Sequence, residues 1–154
     1  MLTDHRIALA QRTDAQRIAL MSRDHIEAGL GWSWDAARVR RSLSDPATNV
    51  AVVRDRHDVL QAFGIMRYGD DDAHLLLFAV ESRWRRQGLG TALLDWLDQV
   101  ARAAGGVRIE LECRETNVVA LAFYARQGYA QTRLMPGYYQ GRESSMRMCK
   151  LLRS

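Results

Sequence analysis

The stretch AHLLLFAVESRWRRQGLGTALLDWLDQV, residues 73–100, decides the fold. Its first eight residues, Ala73 to Val80, read as a strand, and the run from Gly88 to about Ala104 reads as an amphipathic helix. Between them stand two arginines and two glycines, Arg85, Arg86, Gly88 and Gly90, in the pattern R-x-x-G-x-G. A Gly-rich turn that opens a helix leaves backbone N–H groups without intrahelical partners, and the helix dipole adds partial positive charge there. Such a turn suits an anion, which the glycines let approach the backbone and to which Arg85 or Arg86 adds charge. A plain turn before an amphipathic helix reads the same way in isolation. No Gly-Lys-Ser/Thr follows and no G-x-G-x-x-G is present, which excludes a Walker loop and a dinucleotide fingerprint.

Upstream of this stretch, RIALAQ from Arg6 reads as a short strand. TDAQ, Thr13 to Gln16, matches a capping box that opens a helix through about Ala28, with Ala15, Ile18, Ser22 and His25 on one face. GLGWSW, Gly29 to Trp34, breaks it. Ser33 then suits the cap of a second short helix that turns Ala36, Val39 and Leu43 inward and ends at Asp45-Pro46. NVAVVR from Asn49, VLQAFGIMRY from Val59 and AHLLLFAV from Ala73 form a strand meander divided by the polar turns DRHD and GDDD. Downstream, Gly105-Gly106 stops the helix. Strand VRIELEC, helix NVVALAFYARQ, a Gly128 stop, strand YAQTRLM, a PGYY loop and strand SSMRMCKLL complete the pattern. The expectation is one α/β domain over residues 1–154, with a mixed, mostly antiparallel central sheet flanked by helices on both faces.

With 154 residues, 47% hydrophobic and 26% charged, the chain has the balance of a globular domain that needs no staples. Its longest uncharged apolar run, Leu75 to Val80, falls far short of the roughly 20 residues of a membrane span. MLTDHRIALAQ does not have the make-up of a signal peptide, so a cytoplasmic location and no membrane partner are expected. Cys113 and Cys149 form no C-x-x-C pair, and His5, His25, His57 and His74 lack ligand spacing, so no metal is expected and each histidine reads as surface or packing. The net charge of +4 raises a nucleic-acid partner, but the arginines are interleaved with acids and opposed by runs such as Gly69 to Asp72, so none is expected.

The chemistry concentrates in IELECRETNVVALAFYARQGY, Ile109 to Tyr129. Strand alternation sets Ile109, Leu111 and Cys113 on one face and Glu110 and Glu112 on the other. Asn117 and Tyr124, seven residues apart, share a helix face. A carboxylate and a phenol from adjacent elements suit general base and general acid work in acyl transfer to an amine. Each has an architectural reading as well: Glu112 paired with Arg108 or Arg114, Asn117 as a helix cap, Tyr124 as a core aromatic.

In order and register, LLLFAVESRWRRQGLGTALLDWL, IELECRETNVVALAFYARQGY and GYYQGRESSMRM resemble the GNAT superfamily of acetyl-CoA-dependent N-acetyltransferases, over roughly Ala73 to Leu152. LECRETN, FYARQGY and the Tyr-Tyr loop are most similar to its ribosomal-protein alanine N-acetyltransferase branch. The resemblance implies that the backbone of Arg85, Arg86, Gln87, Gly88, Leu89, Gly90 and Thr91 holds the pyrophosphate of acetyl-CoA. It further implies that the strand end Phe78, Ala79 and Val80 splays from the strand of Glu112 to pair with the pantetheine arm. Asn117 would contact the cofactor and Tyr124 would sit beside its sulfur.

On that resemblance, Glu112 takes a proton from the acceptor amine directly or through water, a backbone N–H near Val80 steadies the oxyanion, and Tyr124 protonates the departing thiolate. Cys113, on the opposite face from Glu112, packs in the core. Trp32, Trp34, Tyr138 and Tyr139 are candidates to line the acceptor site; Gly137 stands where the branch carries Asn. The acceptor is a protein or peptide N-terminus or a small amine, and the resemblance is compatible with a homodimer. The competing readings are a catalytically silent acyl-CoA-binding module and, third, a basic nucleic-acid-binding protein.

Overall fold

A computed structural model describes residues 5–139, 141 and 143–152. The part of the expected QGRESS loop at residues 140 and 142 lies outside the described residues. The elements run β1 (Arg6–Leu9), a 3₁₀ turn (Arg12–Asp14), α1 (Ala15–His25), α2 (Ala36–Ser44), β2 (Thr48–Arg54), β3 (Leu60–Tyr68) and β4 (Asp72–Val80). A second 3₁₀ turn (Ser82–Trp84) leads into α3 (Leu89–Ala103), followed by β5 (Arg108–Arg114), α4 (Val118–Arg126), β6 (Ala130–Tyr139) and β7 (Glu143–Leu151).

The strands form one sheet in the order β1-β2-β3-β4-β5-β7-β6. Every pairing is antiparallel except that of β4 with β5, across the α3 crossover. This is the expected mixed, mostly antiparallel α/β architecture. Helix α3 buries Leu89, Leu93, Leu94, Leu97 and Ala101 against Ala51, Val53, Ala62 and Met66 on one face. Helices α1 and α2 bury Ile18, Met21 and Val39 against Val50, Val52, Phe63 and Ile65 on the other. Each fully buried leucine or isoleucine contributes about 1.5–3 kcal/mol, so each face has its own apolar core.

An irregularity in β4 matters for the site. Met66 pairs with Leu75 but Ile65 pairs with Leu77, leaving Leu76 as an extra residue. The bulge reverses the alternation. Before it Ala73 and Leu75 face the α3 core, whereas after it Leu77 and Ala79 face the α1/α2 core and Phe78 and Val80 face α3.

Four local expectations are corrected. The capping box lies two residues earlier, with Gln11 and Asp14 on the 3₁₀ turn, because Asp14 bonds the Gln11 N–H and pairs with Arg54. Helix α1 stops at His25, short of Ala28, where the Glu27 carboxylate gathers the loop by accepting from Ser22, Ser33 and Trp34. Ser33 is thereby occupied, and Asp35 caps α2 by accepting from the Arg38 N–H. PGYY is not a loop: β6 continues through it, with Gly137 at φ +65° absorbing a register shift between Met135 and Tyr139.

Candidate active site

The turn from β4 into α3 is built from backbone. Arg86 at φ +63° and Gly88 at φ +82° take the left-handed conformation, and Gly88 caps α3 with no side chain. The first bond into the helix is donated by Ala92 to the Gly88 carbonyl. Among the described residues no acceptor engages the six consecutive N–H groups of Arg86, Gln87, Gly88, Leu89, Gly90 and Thr91. Arg85 folds back, its Nε donating to the Val80 carbonyl at 3.0 Å. Gly90 is wedged: a Cβ there meets the Phe123 ring and Val80 Cγ2, each at 3.4 Å. Alternating handedness plus a helix N-terminus makes a concave row of donors suited to an anion such as a diphosphate.

Next to this cradle the sheet opens. The β4–β5 ladder covers only Asp72 to Leu75 against Arg108 to Leu111. Past Leu75, β4 stays on β3 while β5 stays on β7. The edge of β4 from Leu77 to Val80 is thus parted from β5, as the resemblance implies. An edge of this kind accepts an extended, amide-bearing chain as an added strand.

Two polar centres flank the gap on opposite faces of the sheet. On the α1/α2 face, the Glu112 side chain is only 7% exposed and has both oxygens engaged. His74 Nε2 donates to Oε1 at 2.6 Å, Tyr138 Oη donates to the same atom at 3.3 Å, and Arg147 Nε donates to Oε2 at 2.8 Å. Burial pushes the carboxyl pKa up, but His74 and Arg147 outweigh it and hold the group below its ordinary 4.5. The expected ion-pair partners go elsewhere: Arg108 pairs with Asp72, and Arg114 grips Glu143 in a two-pronged bond while also donating to the carbonyls of Ile26 and Ala28.

On the α3/α4 face, Tyr124 is 8% exposed and stacks edge-on with Phe78, Phe123 and Tyr129. Its hydroxyl has no hydrogen-bond partner among the described residues, and burial, with Cys113 and Tyr139 nearby, raises its pKa so that it stays protonated. Phe78 stacks on Phe123 at 5.8 Å. Asn117 caps α4, its Oδ1 accepting from the Ala120 N–H at 3.1 Å. Cys113 is buried, and burial pushes its thiol up to about 11, which suits core packing and not nucleophilic work.

The acceptor candidates divide. Tyr138, 45% exposed, reaches Glu112, and Tyr139 packs against Tyr138 at 4.8 Å. Trp34 is 8% exposed beneath the Arg38 guanidinium, and Trp32, 42% exposed, donates to the Trp34 carbonyl. His74 and Arg147 are the partners of Glu112 that the sequence did not disclose. His74, expected to be a surface or packing side chain, carries one signal: it is the sole polar side chain inside the apolar run AHLLLFAV. No cluster of His, Cys, Asp and Glu able to hold a metal occurs among the described residues, nor a helix long and apolar enough to cross a membrane.

Residues 13–129 match the model of the Acetyltransferase (GNAT) family. An uncharacterised N-acetyltransferase of Methanocaldococcus jannaschii is 39% identical over 88 residues, 56% of this chain and 55% of that protein. The ribosomal protein bS18-alanine N-acetyltransferase of Escherichia coli K12 is 35% identical over 92 residues, 58% of this chain and 62% of that protein. The matches thus span less than two thirds of the length of these curated relatives. The crystal structure of the E. coli enzyme superposes with a TM-score of 0.81 at 25% identity, covering 97% of this chain and 95% of that one. The paiA N-acetyltransferase of Thermoplasma acidophilum, solved with coenzyme A, superposes with a TM-score of 0.81 at 16% identity, over 96% and 98% of the two chains.

Proposed function

Since the chain belongs to the GNAT acetyltransferase family, we propose that it transfers the acetyl group of acetyl-CoA to a primary amine by direct attack in a ternary complex. The observation that carries this reading is the row of unengaged N–H groups from Arg86 to Thr91 beside the parted edge of β4. The cradle fits a diphosphate, and the Leu77–Val80 edge fits the amide-bearing arm behind it. The coenzyme A bound by the T. acidophilum neighbour supports the same assignment.

Acetyl-CoA, when bound, supplies an acetyl thioester. The residues around the gap handle the protons. Both Glu112 oxygens are engaged, and His74 occupies Oε1, so Glu112 and His74 act as one proton-accepting unit toward the acceptor ammonium. The freed amine forms the C–N bond as the C–S bond breaks. A backbone N–H near Val80 steadies the carbonyl oxygen, and Tyr124, kept protonated by burial, gives its proton to the departing sulfur. Asn117 serves chiefly as the cap that fixes α4, and with it Tyr124, against Phe78. Tyr138, beside Glu112, lines the acceptor's approach.

The test is release of free CoA from acetyl-CoA with a panel of N-terminal peptides, polyamines and aminoglycosides, alongside calorimetric CoA binding. Turnover with one amine class that Glu112→Gln removes while CoA still binds is the expected result. Tight CoA binding with no turnover by any amine leaves the acyl-CoA-binding module.

A further inference from the structure

Beside Glu112, on the same face of the sheet, lies a second polar feature that proton transfer does not use. A cleft of about 240 Å³ opens between α2 and the strands, walled by Trp34, Arg38, Arg41, Asp45, Arg67 and Leu76. Its β-side wall runs into the candidate active site. Arg67 stands directly opposite His74 in the β3–β4 ladder, and Leu76 is the bulge residue two positions beyond His74.

The charge of the cleft is unbalanced. Arg38, Arg41 and Arg67 form no ion pair among the described residues, in contrast to Arg54, Arg108, Arg114 and Arg147, which do. The one carboxylate in the cleft, Asp45, is taken by the Ala47 N–H and the Thr48 hydroxyl, both at 2.9 Å. Arg38 is fixed in place, its guanidinium 4.0 Å from the centre of the Trp34 ring. Guanidinium groups with free donor forks, one of them held over an aromatic floor, match carboxylates and repel cations.

We propose that this cleft binds an acidic side chain of the acceptor, so that the acceptor is a peptide N-terminus with Asp or Glu within its first few residues. The proposal rests on the transfer reading in that the amine must lie at Glu112. The spacing agrees: one strand separation of about 4.8 Å divides His74 from Arg67, and an extended peptide advances about 3.3–3.6 Å per residue. An acid at the second or third residue therefore reaches the arginines while the amine stays at Glu112. Polycationic amines are disfavoured by the same charges.

The experiment compares C-terminally amidated peptides that share a first residue and carry Glu, Ala or Lys at positions two and three. A charge-assisted hydrogen bond is worth about 1.5–3 kcal/mol, or about 10–100-fold. The Glu peptide is expected to exceed the Lys peptide by at least about tenfold in kcat/KM, with the ratio shrinking at high salt. In the Arg41→Ala, Arg67→Ala double variant the ratio falls toward one, and Arg41→Glu moves the ranking toward the Lys peptide. Both arginines are exposed, so the changes leave the core untouched. Equal kcat/KM for all three peptides overturns the proposal. If no peptide releases CoA, the transfer reading falls, and calorimetric titration of the peptides onto the CoA-loaded protein decides the cleft. Binding of the Glu peptide about tenfold tighter than the Lys peptide upholds it; equal or undetectable binding of all three overturns it.

Discussion

The cradle at the start of α3 and the polar cluster around Glu112 flank the same gap but are made of different materials. The cradle is backbone, shaped by two left-handed residues and a run of six consecutive N–H groups. The cluster is side chain, drawn from β4, β5, β6 and β7. A backbone site is written contiguously and resists every side chain that intrudes. A side-chain site is dispersed along the chain and depends on particular functional groups.

The largest effect expected is at the cradle. Gly88→Glu and Gly90→Glu each put a carboxylate where the phosphates would sit, and at Gly90 the new Cβ also crowds Phe123 and Val80. Both are expected to abolish CoA binding by calorimetry while far-ultraviolet circular dichroism keeps its native form. Retained affinity in either variant breaks the cofactor assignment.

In the cluster, Glu112→Gln is expected to lower kcat/KM by about 10²–10⁴, the range of general acid–base catalysis, with CoA affinity unchanged. A matching loss of CoA affinity would erase the distinction between the two regions. Tyr124→Phe is expected to lower kcat by about 10²-fold. Its melting temperature should stay level or rise slightly, because the hydroxyl has no partner among the described residues to lose.

The smallest effect concerns stability. The folded-state pKa of Glu112 lies below its ordinary 4.5, so its pairing with His74 and Arg147 stabilises the protein fully above that value. The contribution disappears as pH falls through the depressed value. Melting curves of the parent and Glu112→Gln should therefore differ most near neutrality and converge in acid. Divergence on acidification would show that the pairing is not as described.

This difference in material also explains what the sequence disclosed. Gly88, Gly90 and the helix after them are neighbours in the chain, so the cradle was legible from 73–100 alone. The alternation of β5 placed Glu112 correctly opposite Cys113. The partners of Glu112 were not legible, since Arg147 meets it only through the β5–β7 register and His74 only across the parallel β4–β5 step. Local competition misled in the same way: Ser33 has a good cap's chemistry, but Glu27 claims its N–H and hydroxyl first. PGYY carries turn residues, yet its pairing with β7 carries β6 through them.

The extra residue Leu76 sets the polarity of β4 as a thread sets the hand of a screw. With it, one strand presents His74 to the amine side and Phe78 and Val80 to the thioester side. Were Leu76 instead drawn into a regular ladder opposite Ile65, every side chain after Leu75 would turn over, and Phe78 would exchange places with Leu77 and Ala79. Excising this single aliphatic residue leaves Leu75 opposite Met66 and Leu77 opposite Ile65, so the strand keeps its two-faced polarity without the bulge. Tolerance to deletion, mapped position by position along the strand, is therefore expected to peak at the residue that the β3 ladder leaves unpaired.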